Sequence, residues 1–327
     1  MREKWVDNLK GILIILVVIG HILPPPYNVL STPASYIFAF HMPAFFIISG
    51  YLAKPGKYSL GASIWGKAKR ILGPYFFYMF LIAAPKVIIA YMKNHHPVML
   101  KKNITTFIHG GQGLNFFDCG AVWFLTCLFV SFVFFFIIEK LPKTWMKAVV
   151  YIAFWAFAHY QSKYMRLEPT FWLWDVGIIG CVYLAIGYYF KKYIFNKWVL
   201  VGSVVSVVGF LVLRAADVVP YFRNFGIELW SHTYRYPILD FVFPCGVFVI
   251  LANLVKLIPD GIVSKILSEL GKYSLAIMAM HQLVMRILRE DFKLFNLWIL
   301  TFIATLIPYL VVRFIWSKIP GIRRISY

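Results

Sequence analysis

Apolar residues fall into ten runs of 13 to 21 positions, with Lys, Arg, Pro and Gly collected in the stretches between them. The runs are Leu9 to Leu23, Ser35 to Leu52, Ile71 to Tyr91, Ala121 to Ile138, Ala148 to Tyr160, Phe171 to Phe190, Trp198 to Leu213, Tyr236 to Val255, Tyr273 to Leu288 and Phe295 to Ile315. A bilayer core about 30 Å thick takes about 20 helical residues. The pattern therefore predicts an all-α polytopic membrane protein, about ten transmembrane helices in one bundle. The fifth and seventh runs are short for a span, and Pro85 and Lys86 interrupt the third. No soluble domain, repeat or break in composition stands out, so residues 1–327 read as a single integral-membrane domain.

Composition strengthens this reading. The chain is 61% hydrophobic and 14% charged, with a mean hydropathy of +0.74, whereas soluble domains are about half apolar and a quarter charged. A soluble globular enzyme is excluded. The net charge of +20 would suggest a nucleic-acid partner in a soluble protein, but in a membrane protein basic residues set orientation. Twenty of the 33 Lys and Arg residues fall on one set of alternate connections and eleven on the other. This places both termini in the cytoplasm and leaves no need for nucleic acid. Cys119, Cys127, Cys181 and Cys245 have no metal-ligand spacing, and they read as packing residues. No metal site is expected. Met1 to Leu23 has the basic start and apolar stretch of a signal peptide, yet it lacks a small-residue cleavage site and reads as a retained first helix.

Ionisable groups inside spans are costly, so each one is a functional hypothesis. The candidates are His21, His41, Asp175, Asp240 and His281. Lys10 and His21 are eleven residues apart, three turns plus about 20°, so they share a helix face with a rise of about 16 Å between them. The same geometry puts His41 and His281 near the depth of His21, and Asp175 and Asp240 about one turn below the outer surface. Three histidines and two acids could line a hydrated cavity. Each histidine could equally lock helix packing, Lys10 could be a simple interfacial anchor, and the two acids could pair with Arg235 or Arg214.

The long outer connection from Met92 to Gly120 holds His95, His96, His109, the run Gly110-Gly111-Gln112-Gly113 and Asp118. A re-entrant or surface-lying element fits there. On the opposite side, Lys67 and Arg70 would neighbour each other on a helix. Such a pair can hold a phosphate-bearing ligand, and orientation alone explains it equally well.

Several motifs carry a family resemblance. Asp7-Asn8-Leu9-Lys10 is followed after ten residues by His21, and then by Phe40-His41-Met42-Pro43-Ala44-Phe45-Phe46-Ile47-Ile48-Ser49-Gly50-Tyr51-Leu52. Lys67 to Tyr75, Trp123-Phe124-Leu125, and Gly271-Lys272-Tyr273-Ser274-Leu275 leading to His281 complete the series. Together they resemble membrane-bound acyltransferase family 3, in its fucose 4-O-acetylase-like branch. The resemblance implies a multi-pass protein of a bacterial plasma membrane. It also implies transfer of an acyl group, usually acetyl from acetyl-CoA, to a hydroxyl of a sugar or cell-envelope glycan. No tightly bound cofactor is implied, since acyl-CoA is a substrate.

Carried over by position, His21 is the family's essential histidine, and Lys10 stands where the family usually has Arg. Lys67, Arg70 and Tyr75 fall on its donor-associated basic motif. His41, Ser49, Trp123, Asp175, Asp240 and His281 are then the residues for the acceptor or the cavity. Relatives often continue the fourth-span motif with two carboxylates, where this chain has Leu128 and Phe129. The expected partners are acyl-CoA, a sugar or glycan acceptor and the lipid bilayer. Two rival readings use the same polar residues: an exporter of a glycan or small polar solute, and a structural partner of a polysaccharide synthase.

Overall fold

The computed structural model describes residues 3–23, 33–94, 104–110, 118–165, 170–216, 227–234 and 236–318. Its helices are α1 (Lys4–Ile22), α2 (Pro33–Tyr51), α3 (Leu60–Tyr78), α4 (Ala84–Asn94), α5 (Trp123–Ile138) and α6 (Thr144–Tyr164). They continue with α7 (Trp174–Tyr189), α8 (Lys197–Ala215), α9 (Pro237–Lys256), α10 (Ile262–Lys272), α11 (Ser274–Glu290) and α12 (Leu297–Leu310). Among the described residues there is no strand, and one isolated bridge joins Glu228 to Thr233. The protein is an all-α polytopic membrane protein.

Every one of the ten predicted runs contains a helix, but eight helices among the described residues are long and apolar enough to cross a membrane. The exceptions are α6 and α11, at the fifth and ninth runs. Lys147, His159, Gln161 and Lys163 dilute the apolar content of α6, and α11 has 17 residues ending in Arg286, Arg289 and Glu290. The third span runs as one helical stretch from Leu60 to Ile89. A π-helical turn at Met79–Ala83 sits between Pro74 and Pro85 and absorbs the proline disruption. Lys67 and Arg70 consequently lie on α3 itself, and Ser59 caps that helix by accepting a hydrogen bond from the Ala62 amide. The amphipathic α10 was not anticipated. Its Lys265, Glu269 and Lys272 break up the apolar pattern on which a span depends.

Lipid tails are as apolar as the helices, so hydrophobicity does not draw helices together, and small residues at the crossings take over that role. Where α1 crosses α10, Gly11 lies against the Leu267 carbonyl and Gly271 against the backbone of Asp7 and Gly11. Asn8 Nδ2 donates to Ser264 Oγ across the same contact at 2.9 Å. Lys4 pairs with Asp260 just ahead of α10, which holds the exposed Asp260 carboxyl below the usual carboxylate range. A second close crossing joins α2 and α7. Gly50 faces the Leu184 carbonyl there, and Gly187 faces that of Ile47. At its other end α1 is capped by Arg289 Nη2, which donates to the Ile22 carbonyl at 2.5 Å.

These crossings make a direct prediction. A Cβ at Gly187 overlaps the Ile47 backbone, whereas one at Gly202 meets nothing within 4 Å. Gly187→Leu should destabilise the protein by about 1–3 kcal/mol or more, and Gly202→Leu should change it little. Thermal unfolding in detergent, followed by tryptophan fluorescence, compares the two.

Candidate active site

Helices α1, α2, α5 and α11 surround two cavities stacked end to end. One has a volume of about 320 Å³ and is lined by His21, His41, Trp123, Glu228, Trp230 and Gln282, among others. The other, about 380 Å³, is lined by Lys10, Ser49, Phe124, Leu128, Lys272 and Ser274, among others. Each of the four helices contributes to both. On α1, Lys10 and His21 lie about 16 Å apart along the axis, one in each cavity. Met278 on α11 belongs to both walls.

The structure brings His21, His41 and His281 together. The rings of His21 and His281 meet edge to face at 5.0 Å. Phe38 bridges His21 and His41, with ring centroids 5.5 and 5.3 Å away. His21 Nδ1 lies 2.8 Å from the Val17 carbonyl, His41 Nδ1 lies 2.7 Å from that of Ile37, and His281 Nδ1 lies 2.8 Å from that of Met278. A carbonyl only accepts, so each Nδ1 donates, and the neutral ring carries its lone pair on Nε2. His21 is half-buried and opens into the cavity. His281 is fully buried behind it, with an Nε2 that has no partner among the described residues. Among those residues no group of three or more His, Cys, Asp and Glu could hold a metal ion. None of the four cysteines is in a disulfide among the described residues, and Cys119, Cys127 and Cys181 are buried.

Asp175 and Asp240 lie elsewhere. Asp175 Oδ2 pairs with His232 Nε2 at 2.7 Å, and its Oδ1 accepts from Thr170 Oγ1 at 2.5 Å. Asp240 Oδ2 pairs with His159 Nε2 at 3.0 Å and accepts from the Tyr236 amide at 2.9 Å. Neither acid lines the His21 cavity as expected, and their partners are histidines. Arg214 lies over the Tyr36 ring at 4.5 Å, and Arg235 is outside the described residues. The acids act as staples. His232 belongs to the turn at 227–234, which Ser162 also binds through the His232 carbonyl and the Tyr234 amide. That turn carries Glu228 and Trp230 into the wall of the His21 cavity.

On the other side, Lys67 Nζ sits 3.4 Å from the centroid of the Phe132 ring, and Arg70 and Lys10 are the cations that bear on it. Lys272 pairs with Glu269 at 2.6 Å, and Arg313 bonds the same carboxylate. Tyr75 does not join this basic group. It is buried, and its hydroxyl donates to the Phe107 carbonyl at 2.9 Å. It lies eight residues beyond Lys67 and five beyond Arg70, about 12 and 8 Å farther along α3, and it clamps the short helix at 104–109. Trp172 Nε1 grips that helix through the Ile108 carbonyl at 2.9 Å. His109 stands against Phe171 at 5.6 Å, and Asp118 pairs with Lys86 and Arg286. His95, His96 and the run Gly111-Gln112-Gly113 lie outside the described residues.

Sequence reasoning did not single out Gln282, Glu228, Trp230 or Met278. Gln282 Oε1 accepts from the Ala121 amide at 3.1 Å, which turns the amide NH₂ away from that contact. The fold and this His-lined core define a polytopic membrane protein with a buried polar site. A family model described as an acyltransferase domain matches residues 3–319, and the chain belongs to that family. It is similar to the nodulation protein NolL of Mesorhizobium japonicum, 32% identical over 143 residues, covering 40% of this chain and 35% of that protein. NolL of Sinorhizobium fredii is 32% identical over 146 residues, with the same coverage. The matched stretch is thus about a third of the length of these curated relatives. No solved structure matches the chain.

Removing one partner of a buried ion pair strands the other, at a cost of about 3–5 kcal/mol, while replacing both by apolar residues costs far less. His159→Leu should therefore destabilise strongly, and His159→Leu with Asp240→Leu should recover most of the loss. Chemical denaturation in mixed micelles reads the coupling.

Proposed function

We propose that this membrane acyltransferase moves an acetyl group from cytoplasmic acetyl-CoA to a hydroxyl of a sugar or cell-envelope glycan. The setting is a bacterial inner membrane, with both termini cytoplasmic. The observation that carries the reading is the pair of stacked cavities, with cations at one end and an imidazole with a free Nε2 at the other. The nucleotide of the donor rests on the basic group of Lys10, Lys67 and Arg70, where phosphates find charge-assisted partners. Its extended pantetheine arm reaches along α1 towards His21. The acceptor enters the His21 cavity, whose Trp123 and Trp230 offer aromatic faces and whose Glu228 and Gln282 offer polar partners for its hydroxyls.

In the direct route, His21 Nε2 takes the hydroxyl proton as the oxygen attacks the thioester carbonyl. The carbon–sulfur bond then breaks, and the CoA thiolate leaves and collects that proton. In the covalent route, Nε2 first displaces the CoA thiolate and forms an Nε2-acyl-imidazolium; the acceptor hydroxyl then attacks the acyl carbon, the carbon–nitrogen bond breaks to restore neutral His21, and the hydroxyl proton passes to the thiolate. The NH₂ of Gln282, aligned by its bond to Ala121, supports charge on the carbonyl oxygen in either route. The family membership supports acyl transfer.

Two experiments test the reading with purified protein in lipid. With labelled acetyl-CoA and a panel of glycans, His21→Ala should reduce label transfer about 10²–10⁴-fold, and undiminished transfer overturns the assigned role. Lys67→Ala with Arg70→Ala should weaken donor binding and leave acceptor affinity nearly unchanged. Equal loss of both counts against a donor site there, and titration of each substrate by calorimetry separates the outcomes.

A further inference from the structure

Among the described residues the two cavities share one wall residue, Met278. On the Lys10 side the neighbouring wall is Phe45, Phe124 and Leu125, and on the His21 side it is Val17, Met42 and Trp123. Met278 is 7% exposed, and its own carbonyl is held by His281 Nδ1, which fixes the backbone at this level. It lies one helical turn from Ser274 in the first chamber and one turn from Gln282 in the second. The side chain is unbranched, with three rotatable bonds and a polarisable sulfur, so it can yield to a narrow group and still refill the gap. A branched or aromatic residue would form a fixed wall or leave a fixed hole.

The geometry points to Met278 as the partition between donor and acceptor chambers, and as the residue that limits the length of the acyl group delivered to His21. This inference rests on the donor reading above. An acetyl group adds two carbons beyond the thioester sulfur and passes the thioether with a rotamer change. A longer acyl chain leads the thioester through the same gap and needs more room beside the partition, where Met278, Met42 and Trp123 line the His21 chamber. Shortening residue 278 merges the chambers there, and enlarging it closes the route. The effect falls on acyl selectivity and on the reaction, while the basic group that holds the nucleotide is untouched.

The test measures release of CoA thiol from acetyl-, butanoyl- and octanoyl-CoA by the full chain in lipid nanodiscs. The methyl glycosides of fucose, glucose and N-acetylglucosamine serve as acceptors. Wild type should prefer acetyl-CoA. Met278→Ala should raise the butanoyl-to-acetyl ratio of kcat/KM by about tenfold or more, the scale on which a hydrophobic pocket discriminates methylenes. Met278→Val, which removes less volume, should move it in the same direction, and Met278→Leu should leave it nearly unchanged. Met278→Trp should cut acetyl turnover about tenfold or more without weakening CoA binding. An unchanged acyl profile in the folded Ala and Val variants overturns the partition alone. Absence of turnover by wild type with every acyl-CoA overturns the donor reading and the partition together.

Discussion

The position of the candidate site depends on one constraint: in hydrocarbon, helices are held by close backbone approach and by polar groups that find partners inside the protein. The crossing of α1 and α10 meets both demands. Gly11 and Gly271 let the two backbones touch, and Asn8 reaches Ser264 across the contact. Lys10 and His21 ride on α1, so this contact sets the depth and rotation of both. Arg289 closes the far end of the same helix. With α1 pinned at both ends, the chambers beside it inherit a fixed geometry. A helix held by apolar side chains alone would have no such register against its neighbours.

The same scarcity of water sorts the histidines into two kinds. His21, His41 and His281 satisfy Nδ1 with a carbonyl of their own helix and leave Nε2 as an acceptor. His159 and His232 present Nε2 to a buried carboxylate. His159 has both nitrogens engaged, Nδ1 on the Trp155 carbonyl and Nε2 on Asp240, so no lone pair is left to take a proton. An imidazole that faces a cavity with its lone pair free is available for proton or acyl transfer. Under the proposed reading, that difference is why His21, the half-buried member of the cavity set, carries the chemistry while His159 and His232 hold carboxylates. Through His232, Asp175 shapes the site indirectly, because it holds the turn that brings Glu228 and Trp230 to the cavity.

Much of this was legible in the sequence, for identifiable reasons. The shared face of Lys10 and His21 follows from helical periodicity alone, and both do line the stacked chambers. The common depth of His41 and His281 follows from counting residues inwards from the ends of their runs. Counting along a run says nothing about which neighbour lies opposite, however. For Asp175 and Asp240 the sequence leaves a cavity role and an arginine pair equally open, because it offers charges and not contacts, and the fold pairs both with histidines. Tyr75 joins Lys67 and Arg70 only through the family motif that runs from Lys67 to Tyr75, and in the fold its hydroxyl turns to the Phe107 carbonyl instead. Helix α10 escaped because an amphipathic segment with three charges is written differently from a span. Glu228 escaped because an acid in a connecting segment reads as solvated until the turn that carries it is seen folding over a cavity.

The arrangement of charge along the core has a chemical consequence under the proposed reading. Cations gather around one chamber, while the other has a neutral imidazole, indole rings, an amide and a carboxylate. An anionic thioester is attracted to the first chamber. Its nucleotide is repelled from the second by Glu228 and by the absence of compensating charge, so only the neutral end of the donor arm gains by moving deeper. An uncharged sugar hydroxyl has the opposite preference. The two substrates thus approach His21 from opposite ends and meet where the apolar walls are closest. Water there is scarce, which protects a reactive acyl group from hydrolysis. A single shared cavity open to water would gather both substrates but would lose that protection, so the separation of the chambers is itself part of the chemistry.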